Sequence, residues 1–177
     1  LDMKLLQQAG LSRIHVGLES GDGTILKRVK KGTNAEEQIQ AGQIVKQAGI
    51  QLSEYVILGL GGTDRSTKHA LKTAEVLNEI EPDFVRLRTL VPKINNLLLH
   101  QINKYRFQLL SPTQVLLDTR MLIENLSIST ILTSDHYTNY LNLEGKLPED
   151  KDRLLEAVNQ ALTWDSSRFR PDFIGTQ

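Results

Sequence analysis

The sequence predicts an α/β fold: a parallel sheet with alternating helices. Two observations carry this. Short apolar and β-branched stretches of strand length alternate along the chain with longer stretches of helical period. The changeovers fall at glycine, proline, serine or Asx residues suited to turns and caps. Strands linked through helices form right-handed β-α-β units, which makes neighbouring strands parallel.

Leu1 to Ala9 has apolar residues at Leu1, Leu5, Leu6 and Ala9 and stops at Gly10, as the last turns of an amphipathic helix do. The chain starts inside this pattern, so its N-terminus reads as a cut. Arg13 to Glu19 is the first strand, with Ile14, Val16 and Leu18 on one face and Arg13, His15, Gly17 and Glu19 on the other. A Ser-Gly-Asp-Gly turn leads to a short helix, Thr24 to Val29. Thr33 or Asn34 caps the next helix, whose apolar residues from Ile39 to Ala48 form one face up to Gly49. Gln51 to Gly59 is the second strand, closed by the flexible turn Gly59-Leu60-Gly61-Gly62.

Ser66 to Ile80 is the following helix and Phe84 to Leu90 the third strand. Leu97 to Lys104 is a candidate helix. Ser111 caps a clear helix to Asn125, with Pro112 at its first position. Ser127 to Ser134, rich in Ile and Thr, is the fourth strand. Tyr137 to Gly145 reads as a loop and Glu149 to Thr163 as the last helix. From Asp165 to Gln177 no periodicity remains, which predicts a mobile tail. Four strands that follow an opening helix look like the latter part of a larger barrel or open sheet.

The 177 residues suffice for one domain with a substantial core. Lysine plus arginine equals aspartate plus glutamate at 21 each, so nothing in the charge calls for nucleic acid or an anionic membrane. The longest apolar runs, such as Tyr55 to Leu60, are too short to span a bilayer. No signal peptide is visible, and a cytoplasmic location is expected. There is no cysteine, which excludes disulfides, thiolate metal sites and cysteine nucleophiles within these residues. No metal site is expected from this chain.

The polar side of the strands offers Arg13, His15 and Glu19, then Tyr55, then Arg86 and Arg88, then Asp135 or His136. A parallel sheet covered on both faces is apolar on both. A polar face repeated strand after strand fits a site inside the curve of the sheet, and strand ends are where ligands bind in such folds. Each residue also has a plainer reading. Glu19 can cap or pair locally, His15 can be a hydrogen-bonded core histidine, and the arginines can pair with Glu19. The Gly59 to Gly62 turn lacks the Lys and Ser/Thr of a P-loop, so it is only a weak phosphate signal.

Three segments together resemble the radical S-adenosylmethionine (SAM) enzymes, in particular bacterial Fe–S oxidoreductases related to oxygen-independent coproporphyrinogen oxidase and Elongator-type proteins. They are Gly17-Leu18-Glu19-Ser20-Gly21-Asp22 followed by Lys31-Gly32, then Val56 to Gly62, then Asp83 to Pro92. The resemblance implies the C-terminal part of a partial (β/α) TIM-like barrel over residues 1–163, with 164–177 as a flexible tail. It implies that Glu19 meets the ribose or methionine portion of SAM, that Lys31 meets its carboxylate and that Tyr55 lies near the ribose. The backbone at Ile57 to Gly59 and at Leu90 to Pro92 would flank the adenine. Arg88 and His136, judged by strand direction, would face an unknown substrate.

Such enzymes also hold a [4Fe-4S] cluster in a three-cysteine loop near their first strand. This chain has no cysteine, so that part would come from a missing N-terminal half-barrel, and these residues are expected to be inactive alone. Pro92 to Leu97 also departs from the family's usual loop. Two rival readings stay open: a non-catalytic relative acting as a binding module, and an unrelated nucleotide-binding domain that uses the Gly59 to Gly62 turn.

Overall fold

The structure, a computed structural model, describes residues 2–93, 98, 100, 102, 104 and 106–170. The expected helix at Leu97 to Lys104 and the altered loop at Pro92 to Leu97 fall partly on residues outside the described set, 94–97, 99, 101 and 103.

The elements in order are α1 (Met3–Gln8), β1 (Arg13–Glu19), α2 (Gly23–Arg28), α3 (Ala35–Gln47), β2 (Gln51–Leu58), α4 (Gly62–Ile80) and β3 (Phe84–Thr89). Then come α5 (Pro112–Asn125), β4 (Thr130–Thr133), β5 (Glu144–Leu147), α6 (Lys151–Leu162) and a 3-10 turn, Ser166–Arg168. One sheet has the order β1-β2-β3-β4-β5. The first four strands are parallel and β5 is antiparallel to β4. This is the predicted α/β architecture. Among the described residues no helix is long and apolar enough to cross a membrane.

Local chemistry sets the helix starts. Asp22 accepts from the Thr24 and Ile25 amides at the head of α2, and Asn34 with Glu37 forms a reciprocal capping box on α3. Ser111 and Gln114 do the same on α5, with Pro112 in the first turn. The helices cover one sheet face only. Leu18, Leu52, Val56, Leu58, Val85, Leu87 and Leu132 are almost wholly buried there. On the opposite face Tyr55, Ile57, Phe84, Arg86 and Arg88 are half-buried, and His15 and Ile131 are exposed. The alternation legible in the strands therefore has a physical counterpart, a helix-covered face and an open polar one.

Several details differ from the sequence reading. β5 lies inside and just beyond the expected loop; Glu144-Gly145-Lys146-Leu147 has no β-branched residue to announce it, and its pairing comes from β4. β4 is shorter than Ser127 to Ser134. α4 starts at Gly62, well before Ser66, because the glycine turn winds straight into the helix without a side-chain cap. The expected flexible tail is packed in its first part. Phe169 is buried, with its ring edge-on to Tyr140 and tilted against Trp164. Aromatic burial fixes this segment without periodicity.

Candidate functional site

Glu19 ends β1 in a left-handed conformation with φ 62°. The Ser20 amide donates to the Leu18 carbonyl at 2.7 Å, closing a tight three-residue turn around it. Such a conformation in a non-glycine residue costs about 1–3 kcal/mol and persists where surrounding structure enforces it. The turn swings the carboxylate back over the strand, where Oε1 accepts from Lys31 Nζ at 3.2 Å. Gly17 makes the approach possible: a Cβ there would sit 2.3 Å from Glu19 Oε1 and 3.0 Å from Lys31 Nζ. Both charged side chains stay about a quarter exposed, open to a ligand at the strand end.

A buried network fixes that turn. Ser20 Oγ donates to His69 Nδ1 at 2.9 Å and accepts from the Asp22 amide, and the Gly21 amide donates to Thr73 Oγ1. Gly21 lies so close to α4 that a Cβ would be 2.1 Å from the Lys72 carbonyl. The His69 ring also bonds the Ile57 backbone, and burial pushes its pKa down, so it is a neutral strut. Burial pushes the Asp118 carboxyl up, against His69, the Gly59 amide and the Ser66 hydroxyl. Although Ser20, His69 and Asp118 are residue types of a nucleophilic triad, all are fully buried and tie β1, β2, α4 and α5 together.

Gly59 and Leu90 meet across the ends of β2 and β3. The Leu90 amide donates to the Leu58 carbonyl, and both residues line a cleft of about 40 Å³ with Leu58, Thr89, Pro92 and Leu110. The glycine turn is no phosphate cradle. It is buried, and the Asp118 carboxylate already accepts from the Gly59 amide at 2.9 Å. That corrects the nucleotide-binding reading.

On the open face, Arg88 stacks over the Tyr55 ring at 4.5 Å and His15 lies 6.0 Å from it. His15 is exposed, not the core histidine it could have been, because no helix covers this face. The arginines do not pair with Glu19, since Lys31 takes that carboxylate. His136 stands near Arg88; burial first, then the Arg88 charge, hold its pKa down, opposed by Asp135. Asn139 holds this loop in place. Its Oδ1 accepts from the Thr89 amide at 2.7 Å, and its Nδ2 donates to the Leu87 carbonyl.

Glu54 was not among the residues singled out from sequence. It is 2% exposed, and burial pushes its carboxyl up to about 8, with Lys31 pulling it down and Glu19 pushing it up. Its Oε2 has no hydrogen-bond partner. A lone glutamate inside a strand gives no sequence signal of this kind, because the shift comes from packing.

Residues 2–74 match the sequence model of the Radical SAM superfamily. The chain is related to the radical SAM superfamily. The chain is also similar to two curated proteins named tRNA uridine(34) acetyltransferase. The one from Methanocaldococcus infernus is 26% identical over 87 residues, and the one from Methanocaldococcus jannaschii is 25% identical over 87. Each alignment covers 49% of this chain and 16% of the relative, so the chain spans about a sixth of the length of the curated proteins it matches. Among solved structures, an N-terminally deleted Elp3 from Methanocaldococcus infernus superposes with a TM-score of 0.64 at 17% identity. It covers 89% of this chain and 37% of that one. This likeness establishes the fold alone: the mostly parallel α/β sheet is shared with part of that structure.

Radical SAM proteins at full length imply SAM and a [4Fe-4S] cluster. The cluster does not fit these residues. They contain no cysteine, and among the described residues no group of three or more histidines and carboxylates is placed to hold a metal ion. SAM fits better, since a cation and a carboxylate stand together, partly exposed, at the end of β1.

Proposed function

We propose that this chain forms one wall of a SAM pocket and the substrate-facing surface of a radical SAM oxidoreductase. The observation that carries the reading is Glu19 held over Gly17 against Lys31 at the end of β1. SAM presents a carboxylate, an amine and ribose hydroxyls. Lys31 Nζ would take the carboxylate, and Glu19 the amine or a ribose hydroxyl. Tyr55 lies farther down the open face and offers a hydroxyl without charge. The backbone from Ile57 to Gly59 and at Leu90 would border the adenine. SAM bound beside a reduced cluster supplies hydrogen-abstracting chemistry. Cluster thiolates must come from outside these residues, and no step through the cluster is assigned to them.

The second reading is a non-catalytic relative that binds without reacting. Equilibrium titration of SAM tests the pocket itself. Glu19→Gln and Lys31→Met should each weaken binding about tenfold, the usual scale for losing one charge-assisted hydrogen bond. Wild type without SAM affinity, or variants that bind as wild type does, would overturn the pocket and leave the binding-module reading.

A further inference from the structure

The open face of the sheet carries two guanidinium groups that no carboxylate among the described residues neutralises. Strand register places Gly17, Tyr55, Arg86 and Thr133 in one row, with Ile57 and Arg88 in the row above. Both arginines are half-buried. Among the described residues Arg86 has no ion pair or hydrogen bond, and Arg88 has only the Tyr55 ring beneath it and the His136 ring nearby. The Glu19 carboxylate at the end of β1 is already paired with Lys31. Arg13, by contrast, is spent: it bonds Gln51 Oε1 at 2.7 and 3.0 Å and lies over Phe84 at 4.0 Å.

Partly desolvated guanidiniums without acceptors are costly, and a fork of donors matches a carboxylate or phosphate. Thr133 Oγ1, in the row of Arg86, is buried without a partner. Next to this polar row lie His15, Phe84 and exposed Ile131, which offer flat and apolar contact. Acceptorless cations, an orphaned hydroxyl and an adjoining apolar strip define one subsite.

We propose that Arg86 and Arg88 seat an acidic group, carboxylate or phosphate, of a substrate whose flat apolar part lies along the adjoining row against exposed Ile131. The proposal rests on the reading of this face as the substrate wall. Arg86 and Arg88 bind the anion; Thr133 donates a further hydrogen bond; Tyr55 holds the Arg88 guanidinium in place through its ring.

Weak binding of small probes, followed by amide chemical shifts of the protein, tests this. Phenyl phosphate and benzoate distinguish the two acids; phenol supplies the ring alone and inorganic phosphate the charge alone. Phenyl phosphate or benzoate at millimolar concentration should shift amides at Gly17, Tyr55 and Arg86, more tightly than phenol or inorganic phosphate. Arg86→Gln and Arg88→Gln should each weaken that binding about tenfold. Arg86→Lys, which keeps the charge, should retain part of it and guards against a folding artefact. Failure of both acidic probes on wild type, or equal binding to the Arg86→Gln/Arg88→Gln double variant, would overturn the subsite. SAM titrated into the same proteins separates the two claims. Loss of SAM binding with arginine-dependent probe binding intact sinks the pocket and supports the subsite. SAM binding with arginine-independent probe binding sinks the subsite alone.

Discussion

At Gly17 the missing side chain is what lets Glu19 fold back onto Lys31. In Gly17→Ala the new Cβ would meet the far end of a flexible glutamate, so the chain should fold with little change in thermal unfolding. The Glu19 carboxylate would be displaced, and SAM affinity should fall about tenfold by titration. Glu54 makes a different prediction. Its folded pKa, about 8, lies above the ordinary 4.5, so the folded protein holds a proton that the unfolded chain has lost between those values. Its contribution is fully present below about pH 4.5 and is lost as pH rises through 8. Glu54→Gln should abolish this decline, which is worth several kcal/mol, in denaturant unfolding measured from pH 5 to 9. A slope unchanged in the variant would refute the assignment. Glu19 stood out in the sequence because a strand end and a glycine turn are local patterns, whereas Lys31 was singled out only through the family resemblance. Ser20, His69 and Asp118 were not legible there, because their partners are 49 and 59 residues away and only packing joins them.

Elements with strong local chemistry were legible: α3 and α5 carry capping boxes, β3 alternates throughout in burial, and β2 does so in its second half. β5 was not, since its order comes from β4 and not from its own residues. The loop before it is held through a side chain that mimics a strand. Asn139 gives the end of β3 both an acceptor and a donor. Asn139→Ala leaves the buried Thr89 amide and Leu87 carbonyl without these partners. It should cost about 1–3 kcal/mol in unfolding free energy and speed hydrogen exchange from 136 to 141. Stability within error of wild type would show that the bonds are replaced.

The whole molecule is a one-sided sheet whose β1 edge has no strand partner among the described residues. A free edge beside an open polar face suits a surface completed by further strands, as the larger related structure suggests by extent. These residues alone should therefore self-associate, with sedimentation coefficients that rise with concentration. A monomer at every concentration would argue that the edge is closed by its own chain. The alternation of strands and helices was readable from sequence; which sheet face stays bare was readable only from its polar residues, and the covering network not at all. The most direct test of the pocket is hydrogen exchange with and without SAM. Protection confined to residues 17–21, 57–60 and 89–91 is expected, and protection elsewhere, or none, would contradict the assignment of this edge to SAM.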